Sequence, residues 1–276
     1  MKLKNTIFLA TILMISAATL FGQTPTPKPE TKTPETKTPE TKPSEAKTPE
    51  AKPIPAAKLP TVKEILDRYL QASGGRAALE KIQTRSMKGS IELVPMGVKG
   101  TFESYGSAPD KIYNKLVLGG IGEIIESFDG KTAWSINPIQ GNRDKTGDEL
   151  AQMKISANFH RELNFEKLYS KIEVKGVEKV GDKDAYIIVA TPTGLEPQTF
   201  YFDKQTGLLL REDITAISPE GKIPTKNYFD NYQEVDGVKL PFKVRTVLPQ
   251  FELVMTATEI KNGVKVEESL FVKPKQ

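Results

Sequence analysis

The sequence predicts a mostly β (α+β) fold, an incompletely closed antiparallel β-barrel of about eleven or twelve strands with helices covering its mouth. Three observations lead there. Phe128-Asp129-Gly130-Lys131-Thr132-Ala133-Trp134-Ser135-Ile136 reads as strand, tight turn and strand. Two turns of similar design follow, at Asp203-Lys204-Gln205-Thr206-Gly207 and at Asp236-Gly237. Past residue 83 a single helical pattern interrupts the alternation. About eight strands already make an interior just wide enough for side chains, so a larger curved sheet is expected to enclose an apolar hollow.

Residues 1–22 read as a cleaved signal peptide. Lys2 and Lys4 precede an apolar run over 6–21, and small residues offer cleavage after Ala18 or Gly22. The alternative is an uncleaved anchor, because this run approaches the roughly 17–25 residues that span a bilayer. The chain has no cysteine, hence no lipobox thiol, and the expected location is periplasmic or secreted. Residues 23–58 are a Pro/Thr/Lys/Glu-rich linker stepping by five from Pro29-Glu30-Thr31-Lys32-Thr33. Too apolar-poor to offset its ordering entropy, it is expected to be disordered, and extended it would reach roughly 100 Å. Nine of the 39 basic and five of the 35 acidic residues lie before residue 61, leaving 30 of each in the domain of 59–276. A domain without basic excess is not expected to bind nucleic acid.

The domain opens at Thr61-Val62-Lys63-Glu64, a capping box, followed by an apolar stripe at Val62, Ile65, Leu66, Tyr69 and Leu70. Gly74-Gly75 ends that helix, and a second short one is expected over 77–82. Strands are expected near 90–93, 101–105, 112–118 and 121–128, then through Trp134 and Ile136. Residues 138–145 break the pattern. Thr146 starts the internal helix, whose Leu150, Met153 and Ala157 suit a helix lying across a sheet, with Phe159, Leu163, Phe165 and Leu168 extending the cover. From Ile172 the meander resumes and runs to Val266.

The catalytic repertoire is thin. His160 is the single histidine, and beside Phe159 and Arg161 it suits a helix edge facing solvent. Without cysteine or a second histidine, zinc and iron–sulfur sites are excluded, and no G-x-S-x-G elbow occurs. Gly120-Ile121-Gly122 joins two strands, so it is a hairpin turn and not a dinucleotide loop. Glu123 and Glu126 have opposite parity on one strand and so face opposite sides, which makes them no acid–base pair. The chain is expected not to be an enzyme, with no catalytic residue, metal or cofactor.

The order Ala108-Pro109-Asp110-Lys111, then 128–134 followed by Pro138, resembles the LolA/LolB-like outer-membrane lipoprotein-sorting (lipoprotein carrier) superfamily, in an uncharacterised branch. Tyr201-Phe202-Asp203 through Thr206-Gly207-Leu208-Leu209-Leu210-Arg211 is similar to that superfamily's later hairpin, and Asp236-Gly237-Val238-Lys239-Leu240-Pro241 to its closing strands. The likeness covers roughly 61–270. It implies an unclosed barrel lidded by helices over an apolar cavity that accepts acyl chains. One departure stands out: Ala108 occupies the place where the family's carrier has an arginine that helps control lid and release. Energy-coupled hand-off is therefore not implied.

The expectation is a soluble extracytoplasmic carrier or receptor for acyl chains of lipoproteins or lipids. The alternative is a non-catalytic envelope structural or interaction module whose cavity is plugged, with other envelope proteins as partners. Trp134, Ile136, Met153, Phe159 and Leu163 are the expected ligand-lining residues, because lid and sheet should meet there.

Overall fold

The computed structural model describes residues 58–274. The expected signal peptide, and the linker as far as residue 57, lie outside the described residues.

The capping box forms as the sequence dictates. The Thr61 N–H donates to Glu64 Oε2 at 2.7 Å, and the Glu64 N–H donates back to Thr61 Oγ1 at 3.3 Å. Helix α1, Val62–Ala72, buries Ile65, Tyr69 and Leu70. Beyond its end, Gly74 has φ 118°, and a Cβ there would lie 2.2 Å from the Gly237 carbonyl oxygen. Only glycine lets the helix end sit on the 236–237 turn, where the Lys239 N–H donates to the Ser73 carbonyl at 3.0 Å. A one-turn helix α2, Arg76–Leu79, follows.

The first meander runs β1 Thr84–Val94, β2 Val98–Ser107, β3 Lys111–Leu118, β4 Gly122–Phe128, β5 Ala133–Ile136 and β6 Arg143–Lys145. Helices α3, Gly147–Ser156, and α4, Arg161–Leu168, come next. The second meander runs β7 Tyr169–Val180, β8 Lys183–Pro192, β9 Gln198–Asp203, β10 Leu209–Ser218, β11 Gly221–Val235, β12 Val238–Val247 and β13 Glu252–Asn262. All pairings are antiparallel, and the order is β6-β5-β4-β3-β2-β1-β13-β12-β11-β10-β9-β8-β7. The described residues thus hold 13 strands in one sheet that does not close. The two meanders join where β1 pairs with β13, and β6 and β7 are the free edges. Helices α3 and α4 are the chain that connects those edges, so they cross the mouth.

Strong curvature needs a bulge. The β1–β13 register slips between Lys88 and Gly89, where a Cβ on Gly89 would lie 2.0 Å from the Thr256 carbonyl oxygen. Alternation then sorts the faces. Ile112, Leu116, Ile124, Phe128, Ala133, Phe200 and Phe202 point to the main core, together with Ile65 and Tyr69 of α1. Their neighbours Tyr113, Ile125 and Trp134 form one outer cluster, and Ala185, Tyr201 and Leu210 another. The last strand ends at Asn262, not near Val266. The chain after it crosses the outer face and seats Phe271 on Trp134, whose Nε1–H donates to the Phe271 carbonyl at 3.0 Å.

Candidate functional site

The candidate site is the seam between the concave sheet face and the α3–α4 lid. The seam is aromatic, with rings from both sheet and lid. Phe102, Phe128, Phe159, Phe165, Phe200, Phe202 and Phe229 are each no more than 1% exposed and belong to one cluster. Phe165 meets Phe200 edge-on at 4.9 Å between ring centroids and Tyr169 at 4.7 Å. The hollow expected from the sequence is therefore filled, because aromatic side chains from both meanders and from the lid reach into the same space.

The lid side also buries polar groups. Of the residues α3 buries, Gln152 and Ser156 are polar and Met153 is apolar. The Gln152 carboxamide donates to the Thr215 carbonyl at 2.8 Å and accepts from the Ile217 N–H at 3.0 Å. At the α3 N-terminus, Arg143 grips Glu149 with two bonds of 2.7 Å, and Lys145 pairs with the buried Glu126. Glu126 Oε2 and Arg143 Nε are buried without a hydrogen-bond partner among the described residues. Two voids of about 10 Å³ each lie under this helix, both bordered by Gln152 and Ser156. A larger cavity of about 270 Å³ opens beside it, lined by Asp148, Glu196, Gln198, Thr215 and Lys222.

Helix α4 is anchored by charge. Arg161 and Glu162 are 4% and 7% exposed, although they occupy the first turn of a short helix. Arg161 Nη2 pairs with Glu212 of β10 and also donates to Tyr169 Oη at 3.0 Å, while Tyr169 donates to Gln198 Oε1 at 2.7 Å. Burial alone would pull the Arg161 guanidinium down, but Glu212 and Tyr169 more than offset it and hold it above its ordinary value. Burial pushes the Tyr169 hydroxyl up to about 12, with Glu212 adding to the effect against Arg161. Beneath Glu162, complete burial pushes Arg85 down to about 9 against the opposing pull of Glu162 and Asp236. The joint between the helices is tied down by the Phe159 N–H, which donates to the Pro109 carbonyl at 2.9 Å. The turn that carries Ala108 thus holds the lid through backbone.

Of the five residues expected to line a ligand site, Met153, Phe159 and Leu163 pack into the main core from the lid. Trp134 and Ile136 do not join them. Strand alternation turns Ala133 inward and Trp134 outward, so these two sit in the outer cluster under Phe271. His160 is half-buried with its ring 5.5 Å from Phe159, and Arg161 is buried, so the solvent-facing edge expected there does not exist. Gln152, Arg161, Glu162 and Glu212 escaped the sequence reading. The one local signal was two adjacent charges set between Phe159 and Phe165. Glu123 and Glu126 do face opposite sides, Glu123 outward to Lys115 and Glu126 inward to Lys145. Among the described residues, no group of three metal-ligating side chains occurs, and no helix is long and apolar enough to cross a membrane.

A single open antiparallel sheet with helices laid across its concave face is a LolA-like fold. A LolA superfamily protein from Nitrosomonas europaea superposes with a TM-score of 0.53 at 12% identity, covering 78% of this chain and 99% of that one. A DUF1329 family protein from Desulfovibrio piger superposes with a TM-score of 0.52 at 17% identity, covering 77% of this chain and 97% of that one. These likenesses establish the fold. No family model matches the chain, and no curated protein matches it.

Proposed function

We propose that this protein is a non-enzymatic, soluble extracytoplasmic carrier or receptor that takes acyl chains of lipoproteins or lipids against the concave face of its sheet. In this reading 1–22 is a cleaved leader, 23–58 a spacer and 59–276 the binding domain. The observation that carries it is the mismatch across the seam. Each lid helix buries one apolar residue, Met153 or Phe165, beside two polar or charged ones. Moving such a lid withdraws Met153, Phe159 and Leu163 from the core, apolar surface that a bound acyl chain would cover in turn. It also returns Glu126 Oε2, Arg143 Nε and Arg161 Nε to water, groups that cost about 1–3 kcal/mol each when buried without a partner. The uncovered floor is rich in phenylalanine, and each acyl methylene buried there contributes about 0.8 kcal/mol. The LolA-like fold supports the same reading.

Met153, Phe159, Leu163 and Phe165 are the lid-side contacts in this scheme, with Phe200 opposite on the sheet. Native mass spectrometry of protein purified from its own cell envelope tests it: a co-bound lipid is expected. Repeated lipid-free spectra, with no uptake of an apolar dye, would overturn it. The filled interior favours a second reading, a structural or interaction module plugged by its own side chains. Under that reading partner capture survives while lipid and dye uptake are both absent.

A further inference from the structure

Strand β10 loses its neighbour on one side before it ends. Pairing with β9 stops at Thr199 opposite Asp213, and the chain leading into β9 departs through the 193–197 loop. Past that point the Thr215 carbonyl and the Ile217 N–H face the open side, where the Gln152 carboxamide holds both. Donating to one residue and accepting from the residue two places on is what a single residue of a neighbouring parallel strand does. Gln152 therefore stands in for a missing peptide group. The cavity of about 270 Å³ beside this edge is walled by Asp148, Gly194, Glu196, Gln198 and Lys222, with Lys222 and Glu196 paired at 2.7 Å and both half-exposed.

The geometry points to a peptide-binding edge: an extended segment of a partner polypeptide adds to β10 at 215–217, taking the place of the Gln152 carboxamide. A polypeptide fits because the edge offers backbone donors and acceptors at strand spacing. The walls supply both charge signs for a segment carrying lysine and glutamate. The site lies outside the aromatic core, so it stands whether or not acyl chains enter beneath the lid.

The test is fluorescence anisotropy of the full chain with a fluorescein-labelled Lys-Thr-Val-Thr-Val-Thr-Glu heptapeptide. Saturable binding is expected, and Gln152→Ala, which removes the competing carboxamide, should tighten it about five- to tenfold. Ile217→Pro deletes the edge N–H without touching the β11 side, and should weaken binding at least about tenfold. The same peptide methylated on alternate backbone nitrogens should not bind the unaltered protein, a control that needs no variant to fold. Absence of saturable binding to Gln152→Ala, or equal binding of the methylated peptide, overturns the proposal. Dimerisation of Gln152→Ala that the peptide cannot compete would reassign the edge to a second copy of the chain and overturn it equally.

Discussion

Arg161 couples three strands to one helix, since its guanidinium meets Glu212 of β10, Tyr169 of β7 and, through Tyr169, Gln198 of β9. Removing one partner of such a buried pair strands the other charge. Glu212→Gln should therefore destabilise by about 3–5 kcal/mol in urea melts, whereas Arg161→Met with Glu212→Leu together should recover most of that loss. Tyr169 gives the alkaline signature. Its hydroxyl is raised to about 12 by burial, so below pH 10 both folded and unfolded chains keep the proton. Between about pH 10 and 12 only the unfolded chain releases it, and stability must fall by an amount of order 2 kcal/mol. Tyr169→Phe should make that decline shallower in denaturant melts run at pH 9 and pH 11, leaving the share of Tyr201 and Tyr232, whose hydroxyls burial also raises. None of this network was legible in the sequence, because Arg161 and Glu212 lie 51 residues apart and no local pattern joins them. The parity of Ala133 and Trp134 was readable, and following it inward from Phe128 would have placed Trp134 outside.

The elements divide by how local their causes are. The 128–133 hairpin was legible because one side chain builds its turn: Asp129 Oδ1 accepts the N–H groups of Lys131 and Thr132 at 2.7 Å each. Burial would raise the Asp129 carboxyl, but those bonds and the Thr132 hydroxyl overcome it and hold the group below its usual range. Asp129→Ala should cost about 1–2 kcal/mol of stability, read from thermal melts with the sheet signal retained. Helix α1 was legible through its capping box for the same local reason. The lid was legible as helix but not as two pieces. Ala157 caps α3 and His160 opens α4, with Phe159 anchored to Pro109 between them, a contact made at a distance of 50 residues in sequence. A lid that lies across the sheet, outside its hydrogen-bonded ladder, should open before the sheet does. Amide hydrogen exchange should be faster across 147–168 than across β1 and β13, and Gln152→Ala should accelerate α3 selectively. Uniform exchange across lid and sheet would show that the lid is part of the rigid core.

At the scale of the molecule, the sheet is two meanders sewn together at β1 and β13, and its two free edges are bridged by the lid. The antiparallel, unclosed character followed from hairpin after hairpin with few helices to cover them. The pairing of the first strand with the last could not be read, since it depends on a register between segments some 170 residues apart, such as Met87 with Ile260. The interior is filled where the strand number implies a hollow, because the number of strands sets the width of a floor and not how far its aromatic side chains stand above it. On the proposed function, this filled interior yields to an acyl chain when the lid lifts. Titrating the protein with spin-labelled stearic acid while recording methyl NMR spectra tests that most directly. Paramagnetic broadening of Met153, Leu163 and Ile188 methyls is expected, with Ile125 and Ile136 beside Trp134 left sharp. Broadening confined to the outer methyls, or none at saturating lipid, would contradict it.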